Sequence, residues 1–351
     1  MARKLKLGLV GAGMMGQLAH LENYAALPDV EVIALAEGRP ELAKKVAERF
    51  GIPRVYATHR EICEDPEIEA VVAIMGFNLH YGVVRDLLAA GKHVATEKAI
   101  CVTPAGAAEL CALAEKHNRV YQVSYMKRYD PGVREAKARA AALRESGDAG
   151  PELYTRIWCA HGDWTWQTPA PLTTPETPPD YETVREAVPD GFTPEEFKWV
   201  EGWLNYYSHQ TNLLRYVLGE DYALEHYHTS PGRDLIVVRT TSGVPAFMEF
   251  PHQQVPKWDE GFKVYFQKGS IEAALPAPLA RQSAAKVVVS TMEGSTSPHI
   301  PQRWGMGEQA KGFVEACLTG DPTRSLSPAS EAAKEIAFAY ELARARRNSG
   351  G

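Results

Sequence analysis

One short stretch near the start of the chain constrains the fold more than any other. Residues 6–10 form an apolar strand pattern, residues 11–16 read Gly-Ala-Gly-Met-Met-Gly, and residues 17–27 follow a helical pattern. A GxGxxG motif is a weak signal alone and a much stronger one between a strand and a helix. The pattern therefore predicts a dinucleotide-binding turn, in which the helix N-terminus faces the phosphates.

Each residue of this turn has a predicted part in holding the cofactor. Gly11 permits the tight turn, Gly13 lets the backbone approach a pyrophosphate, and Gly16 lets the helix pack closely on the strand. Met14 and Met15 lie between these glycines, and we assign them to the same cofactor site.

An acidic residue follows the second predicted strand, residues 30–36. Glu37 lies 21 residues after Gly16, where dinucleotide-binding folds use a carboxylate to hold the ribose hydroxyls. Because a carboxylate repels a 2′-phosphate, the sequence favours NAD over NADP. Arg39, two residues later, is close enough to pair with such a phosphate, which weakens the preference for NAD. Gly38 lies between Glu37 and Arg39, and we assign it to the same cofactor site.

Strands and helices then alternate up to residue 125. The pattern predicts helices over 41–50, 81–90 and 104–116, and strands over 55–56, 70–75, 91–96 and 120–125. This alternation is typical of a doubly wound parallel sheet, whose ligands bind beyond the carboxyl ends of the strands. Two loops are expected there, so we assign to the cofactor site Met75, Phe77, His80, Glu97 and Lys98.

The pattern changes after residue 125, which predicts a second domain over 126–351. Helices are expected over 131–145 and 200–218. Strands are expected over 153–159, 234–240, 245–250, 262–267, 270–274 and 286–291. Short turns between strands indicate an open, mainly antiparallel sheet in an α+β domain. The fold class is therefore α/β, with a Rossmann domain over 1–125.

Composition excludes several classes of function. The 351 residues carry a net charge of -6 and no basic cluster, so the sequence gives no support for nucleic-acid binding. No apolar run approaches the roughly 20 residues that cross a bilayer, and no signal-peptide pattern is present. The five cysteines have no metal-binding spacing, which favours a cytoplasmic protein with reduced thiols and no metal.

Motifs along nearly the whole chain support a family resemblance. They are "LGLVGAGMMG", "GKHVATEKAI", "YMKRYDPGVREAK", "NYYSHQTNLLRYVLG" and the stretch from "GEQAKGFVEA" to "AFAYELA". The chain resembles the glucose–fructose oxidoreductase, inositol dehydrogenase and MocA (Gfo/Idh/MocA) family. The resemblance implies an NAD(P)-dependent oxidoreductase that acts on a sugar, cyclitol or related polyol.

The resemblance also implies roles for individual residues. Lys98 would lie beside the nicotinamide and the reacting hydroxyl, and Glu97 would contact the nicotinamide end of the cofactor. His209 would point at the substrate hydroxyl, and Asn205, four residues earlier on the same helix, shares its face. Either Lys98 or His209 could exchange the proton that accompanies hydride transfer. Further residues assigned by the resemblance are Met126 for the cofactor and Arg128, Tyr129 and Tyr206 for the substrate.

The sequence departs from the family pattern at five positions. Ala99 and Gly76 stand where relatives often have proline, and Met126 stands where many have asparagine. Asn205 and Asn212 replace carboxylates. Loss of the carboxylate at position 205 removes a group that would raise the pKa of the neighbouring histidine, so the substrate and the pH optimum are open.

A long segment separates residue 159 from residue 200 and is rich in proline, acids and tryptophan. Loops of this length are usually functional or disordered. Trp164 and Trp166 could stack on a sugar ring, and His161 and Asp163 could bind hydroxyls. An equally good reading is a lid or an oligomer arm that makes no direct contact with substrate.

Three functions remain open from the sequence. The first is a sugar or polyol dehydrogenase or ketoreductase. The second is a glycosidase or lyase that retains its NAD and oxidises the sugar transiently. The third is a non-catalytic dinucleotide or sugar sensor, which the loss of two carboxylates favours and the presence of Lys98 and His209 disfavours. We also expect a homodimer or homotetramer and a C-terminal helix over about 328–347 that packs on the first domain.

Overall fold

A computed structural model describes residues 3–165 and 168–348. The chain divides into two compact units. The first contains residues 1–125, 169–205 and 306–337, and the second contains residues 126–168, 206–305 and 338–351. Each unit therefore takes segments from distant parts of the sequence.

The first unit is built on a six-stranded, fully parallel sheet. Its strands are β1 (Leu5–Val10), β2 (Val30–Ala36), β3 (Arg54–Tyr56), β4 (Ala70–Ala73), β5 (His93–Thr96) and β6 (Tyr121–Val123). They lie in the order β3-β2-β1-β4-β5-β6, with the change of direction between β1 and β4. All four residues of β4 and of β5 are buried, as expected of central strands covered on both faces.

Helices cover both faces of this sheet. A π-helical segment, Gly16–Leu21, leads into the short α1 (Glu22–Ala25). The others are α2 (Pro40–Phe50), α3 (His59–Glu64), α4 (His80–Ala89) and α5 (Pro104–Lys116). From late in the chain, α8 (Gly305–Thr319) adds Phe313 and Val314 to the core formed by β1, β2 and β4. Apolar side chains from distant sequence segments therefore complete this core.

The second unit is built on an eight-stranded sheet. Its strands are β7 (Glu152–His161), β8 (Tyr222–Ser230), β9 (Arg233–Thr240), β10 (Pro245–Pro251), β11 (Asp259–Phe266), β12 (Gly269–Ala274), β13 (Lys286–Thr291) and β14 (Gly294–Thr296). The order is β14-β13-β12-β11-β7-β10-β9-β8. Only the β7–β10 pair is parallel among the described pairs.

The second unit also contains α6 (Pro131–Ser146) and parts of α7 (Pro194–Leu218) and α9 (Ala329–Asn348). Helix α6 begins at Asp130, whose carboxylate accepts the backbone N–H groups of Gly132 and Val133 at 2.8 and 3.0 Å. Helix α7 contributes residues up to Asn205 to the first unit and later residues to the second. Helix α9 is divided in the same way after Ala337.

The fold class predicted from the sequence is confirmed, with differences at several elements. Strand β2 and helix α5 have the predicted bounds. Helix α7 begins six residues before the predicted start, because its first turn is polar and lacks an apolar periodicity. Strands β8 and β14 were not predicted: β8 mixes charged and apolar residues, and β14 has three exposed residues.

Candidate active site

The glycine-rich turn after β1 has the geometry that a pyrophosphate requires. Gly11 has a φ of 86°, and a Cβ there would lie 2.1 Å from the carbonyl oxygen of Ile74. A Cβ on Gly16 would lie 2.4 Å from the carbonyl oxygen of Gly11. By contrast, beyond its chain neighbours, no described atom lies within 4 Å of the position of a Cβ on Gly13. The backbone is therefore closely packed at Gly11 and Gly16 and open at Gly13, the position that phosphate oxygens approach in dinucleotide-binding folds.

Glu37 lies at the carboxyl end of β2 and points at this turn. Its Oε2 accepts the backbone N–H of Ala12 at 2.8 Å, and its two oxygens accept Nε and Nη2 of Arg39 at 2.8 and 2.9 Å. Burial alone would raise the pKa of Glu37, but the hydrogen bonds from Arg39 and Ala12 outweigh it and lower the pKa. The carboxylate is thus charged and held beside the turn.

The Glu97–Lys98 pair lies directly after β5, and its members have different partners. Oε1 of Glu97 lies 2.7 Å from Nε2 of His20, and both side chains are largely buried. Lys98 is half-buried, and its Nζ donates to the backbone carbonyl of Asn205 and to its Oδ1, the latter at 3.3 Å. The structure therefore brings Lys98 and Asn205 together within the first unit.

His80 lies beneath this segment. The side chain is fully buried, and its Nδ1–H donates to the carbonyl oxygen of Ala99 at 2.7 Å. Ala99 is the residue that follows the cis peptide bond after Lys98. Burial lowers the pKa of His80 to about 4, so the ring is neutral at pH 7. His80 therefore fixes the backbone beside Lys98. Met75 and Phe77, which precede His80 in the loop after β4, are half-buried.

Buried neutral histidines predict a loss of stability in mild acid. Burial also lowers the pKa of His93 to about 4, and its Nδ1 accepts the N–H of Val120 at 3.0 Å. Because these pKa values lie below the ordinary value of 6.5, the unfolded chain binds more protons between pH 6.5 and 4. The free energy of unfolding should therefore fall by about 2 kcal/mol per histidine between pH 7 and pH 5.

Urea unfolding at the two pH values measures this loss. The variant His93→Gln keeps an oxygen for the Val120 N–H and cannot be protonated, so its stability should depend less on pH. An equal pH dependence in the variant and the parent chain would contradict the assignment.

In the second unit, the residues assigned to substrate differ widely in exposure. Nε of Arg128 donates to Oδ1 of Asn212 at 2.6 Å, and its guanidinium lies over the ring of Tyr216 at 5.2 Å. Arg128 and Tyr129 are 4% and 3% exposed, whereas Tyr206 is 61% exposed. Arg128 and Asn212 therefore make a buried structural contact.

The remaining assigned residues of this unit are accessible to different degrees. His209 is half-buried on α7, one turn after Asn205. Trp164 is 41% exposed, Met126 is 6% exposed, and Trp166 lies outside the described residues. Asp163 accepts the backbone N–H and hydroxyl of Thr165 at 2.9 and 2.7 Å.

A chain of polar contacts on the second unit was not predicted from the sequence. The hydroxyl of Tyr207 lies 3.1 Å from Nε2 of His161 and 2.7 Å from Nε2 of His252. His252 lies 3.4 Å from Asp234, which accepts the hydroxyl of Tyr227 at 2.8 Å. These residues come from α7, three strands and the loop after β10, so no local spacing in the sequence signals the network.

The described residues lack a metal-binding cluster and a membrane-spanning helix. Residues 3–165 and 168–348 contain no group of three or more His, Cys, Asp or Glu residues arranged to hold a metal ion. Over the same ranges, no helix combines the length and the apolar character that a membrane span needs.

One known protein family matches the first third of the chain. Residues 5–125 match the family model for the Gfo/Idh/MocA oxidoreductases, described as an oxidoreductase family with an NAD-binding Rossmann fold. Residues 5–125 therefore form an NAD-binding Rossmann domain of the type found in this oxidoreductase family. The matched range is the part of the first unit that carries the glycine-rich turn, Glu37 and Lys98.

Curated relatives and solved structures are similar to the chain over most of its length. It is 26% identical to an inositol 2-dehydrogenase of Salmonella paratyphi B, over 80% of this chain and 77% of the relative. A levoglucosan dehydrogenase solved with NADH and levoglucosan has a TM-score of 0.76 and 20% identity, with 99% and 98% of the two chains covered. A 3-ketoreductase from Actinomadura kijaniata, solved with NADP, has a TM-score of 0.71, 16% identity and 95% coverage of both chains.

The candidate site also contains supporting residues that sequence reasoning missed. His20 follows Gly16 by one helical turn, and Gln17 is buried with its Nε2 donating to the carbonyl oxygen of Ala12 at 2.7 Å. The available signal was a polar residue on the buried face of an otherwise apolar helix. Such residues need hydrogen-bond partners and often support a functional turn.

Proposed function

We propose that this protein is an oxidoreductase that transfers a hydride between a nicotinamide and a secondary hydroxyl or ketone of a sugar, cyclitol or sugar derivative. The single observation that carries the proposal is the position of Lys98. It follows β5 at the carboxyl end of a parallel sheet whose glycine-rich turn is open at Gly13. The substrate class rests on the inositol and sugar dehydrogenases among its relatives.

In this proposal the dinucleotide supplies the hydride acceptor or donor. The glycine-rich turn would hold its pyrophosphate, and Glu37 would hold its adenosine ribose. Either Lys98 or His209 would take the hydroxyl proton during oxidation and return it during reduction. Asn205 accepts hydrogen bonds from Nζ of Lys98, so it fixes the amine without adding a full negative charge.

Oxidation of substrate is tested with a panel of inositols, aldoses and anhydrosugars. Turnover is read as NADH formation with added NAD, and as exchange between a labelled sugar and its ketone when the cofactor stays bound. Activity on at least one member supports the proposal. A chain that binds the dinucleotide yet is inert in both assays would instead support a sensor.

We propose NAD as the preferred cofactor, because the Glu37 carboxylate is charged and held beside the turn. The parent chain should bind NAD at least tenfold more tightly than NADP, since repulsion of about 1.4 kcal/mol gives that ratio. Glu37→Gln keeps an oxygen for the Ala12 N–H but removes the charge, so it should narrow the ratio.

The cofactor preference is measured by fluorescence titration with NADH and NADPH. Arg39→Ala is the matched variant, because it removes the group that could pair with a 2′-phosphate and should weaken NADPH binding more than NADH binding. Tighter binding of NADPH by the parent chain would show that Arg39 decides the preference.

We also propose that the chain forms a homodimer or homotetramer, as the family resemblance implies. The sheet of the second unit carries an aromatic group on one face, in which Tyr154 contacts Phe247 and Tyr265 at ring distances of 5.3 and 4.6 Å. On strands of the same sheet, Leu235 and Val288 are 45% and 37% exposed. Light scattering coupled to size exclusion gives the mass, and a monomer would contradict the proposal.

A further inference from the structure

A segment with no helix or strand runs along the first unit and has no assigned role. We call residues 171–187 the strap. It belongs to the first unit together with the parallel sheet, although it follows β7 of the second unit in the sequence. Its contacts reach elements that follow four different strands of the parallel sheet, as well as the helix after the glycine-rich turn.

The first contact ties the strap to the glycine-rich turn. Oε1 of Gln17 accepts the backbone N–H of Leu172 at 2.9 Å, and its Nε2 donates to the carbonyl oxygen of Leu172 at 3.0 Å. The same Nε2 donates to the carbonyl oxygen of Ala12 at 2.7 Å. One buried amide therefore links the strap directly to the backbone that would hold the pyrophosphate.

The second contact lies at the start of α2, just after Glu37. Oε1 and Oε2 of Glu176 accept the backbone N–H groups of Glu41 and Leu42, each at 3.0 Å. The residue at the N-cap position, Arg39, provides no side-chain cap of its own. The strap therefore supplies the cap that this helix lacks, and it does so beside the residues proposed to select the cofactor.

The third contact involves a buried histidine at the start of α3. His59 is fully buried, and the hydroxyl of Tyr181 lies 3.0 Å from its backbone N and 2.8 Å from its Nδ1. Nε2 of His59 lies 3.1 Å from Oδ2 of Asp86. The neutral ring therefore donates to Asp86 through Nε2–H and accepts a hydrogen bond from the Tyr181 hydroxyl at Nδ1. One ring nitrogen of His59 therefore contacts the strap, and the other contacts α4.

The fourth contact lies at the start of α5, which follows β5 and the Lys98 segment. Glu186 accepts the backbone N–H groups of Val102 and Thr103 at 2.7 and 2.8 Å, and the hydroxyl of Thr103 at 2.5 Å. The carboxylate therefore binds the two residues just before α5, and one of them, Thr103, is the N-cap of that helix. Each end of the strap is fastened by buried or partly buried hydrogen bonds.

Three glycines outside the glycine-rich turn lie where the strap packs against the first unit. A Cβ on Gly38 would lie 2.6 Å from Cγ of Pro179, and one on Gly82 would lie 2.2 Å from Oγ1 of Thr183. A Cβ on Gly106 would lie 2.2 Å from Oε1 of Glu186. None of these glycines has a positive φ. The strap is packed so closely that these positions, which follow β2, β4 and β5, have no room for a side chain.

The path of the strap coincides with the edge where dinucleotides bind. Ligands of a doubly wound sheet lie outside the carboxyl ends of its strands. The strap passes Gly38, at the ribose position, and then α3 and α4, while Gly13 at the pyrophosphate position stays open. It therefore borders the adenosine half of the site and leaves the phosphate approach clear.

We propose that the strap is a wall of the adenosine half of the dinucleotide site, so that the cofactor leaves only when the strap detaches. The inference rests on the proposed function, because it requires that the chain binds a dinucleotide. Slow release follows, since several hydrogen bonds must break before the adenosine can pass.

The test measures how fast bound NADH leaves the full-length chain. The protein is loaded with NADH, mixed with excess NAD, and the loss of NADH fluorescence is followed. The double variant Tyr181→Phe with Glu186→Gln removes one hydroxyl and one charge while keeping the shapes of both side chains. We expect it to release NADH at least tenfold faster than the parent chain.

Asp180→Asn is the matched control, because the Asp180 side chain lies in the strap and is 98% exposed. It should release NADH at the parent rate. A second readout is tryptic cleavage after Arg185, which bound NADH should slow in the parent chain and slow less in the double variant. This readout remains valid if the double variant is less stable.

Each outcome separates the inference from the proposed function. Faster release by the double variant alone supports the strap as a wall. An unchanged release rate, or tighter binding by the double variant, overturns the inference and leaves the proposed function intact. Failure of the parent chain to bind either dinucleotide overturns both.

Discussion

Replacing Lys98 with alanine is expected to lower turnover by about 10²–10⁴-fold, the usual range for a group that transfers a proton in the transition state. Nζ of Lys98 contacts Asn205, and the side chain is only half-buried, so its removal leaves no large cavity. NADH affinity should stay close to that of the parent chain, because the phosphate and ribose groups are untouched. Steady-state kinetics on the best substrate of the panel, with NADH titration, measure both quantities.

Two further variants separate proton transfer from charge. Lys98→Arg keeps the positive charge but cannot release a proton near neutral pH, so it should be as impaired as the alanine variant. Lys116→Ala is the matched control, since that lysine is exposed in the last turn of α5. Full activity of the arginine variant would assign Lys98 a purely electrostatic role, and full activity of the alanine variant would remove it from the mechanism.

Adding one methyl group at Gly13 is expected to abolish most of the dinucleotide affinity while leaving the fold unchanged. No described atom beyond its chain neighbours lies within 4 Å of the new Cβ, so Gly13→Ala should unfold like the parent chain. The methyl group would instead meet the phosphate oxygens, and overpacking of about 1–3 kcal/mol weakens binding by about 10–100-fold.

Gly11→Ala gives the opposite result and serves as the comparison. Its Cβ would lie 2.1 Å from the carbonyl oxygen of Ile74, and its φ of 86° is strained for alanine. We expect a loss of about 3 kcal/mol or more in the free energy of unfolding. Thermal unfolding measures the stability of both variants, and NADH titration measures their affinity for the cofactor. Equal NADH affinities of Gly13→Ala and the parent chain would contradict a role of Gly13 in phosphate binding.

Local sequence patterns predicted the parallel sheet well for physical reasons. Strand β2 and helix α5 have clear apolar periodicities, and α5 begins at a proline after a threonine whose hydroxyl accepts the N–H of Gly106 at 3.0 Å. The glycine-rich motif also predicts its backbone conformation, because Gly11 has a positive φ that favours glycine. These features depend on neighbouring residues, so the sequence displays them directly.

The contacts that shape the candidate site depend on residues far apart in the chain. Gln17 binds Leu172, and Glu186 binds the two residues before α5 from more than 80 positions away. No periodicity signals such pairs. The sequence did indicate that the long segment after β7 mattered, and it suggested proximity to substrate; the strap portion of that segment instead contacts the dinucleotide-binding unit.

Sequence reasoning also could not separate exposed from buried polar residues in the second unit. Arg128 and Tyr129 were assigned to the substrate by resemblance, yet both are almost fully buried. Arg128 binds Asn212, at a position where relatives carry a carboxylate. An amide that accepts a hydrogen bond from a guanidinium preserves this contact without a charge, which the sequence alone did not reveal.

Mass spectrometry of the dinucleotide released on denaturation tests the central claim most directly. Freshly purified protein is loaded with NAD, divided, and denatured before and after incubation with the polyol and sugar panel. The account predicts that bound NAD becomes NADH with at least one sugar or polyol in the parent chain, and that Lys98→Ala leaves it as NAD. Absence of bound dinucleotide, or NAD unchanged by every member of the panel, would contradict the account.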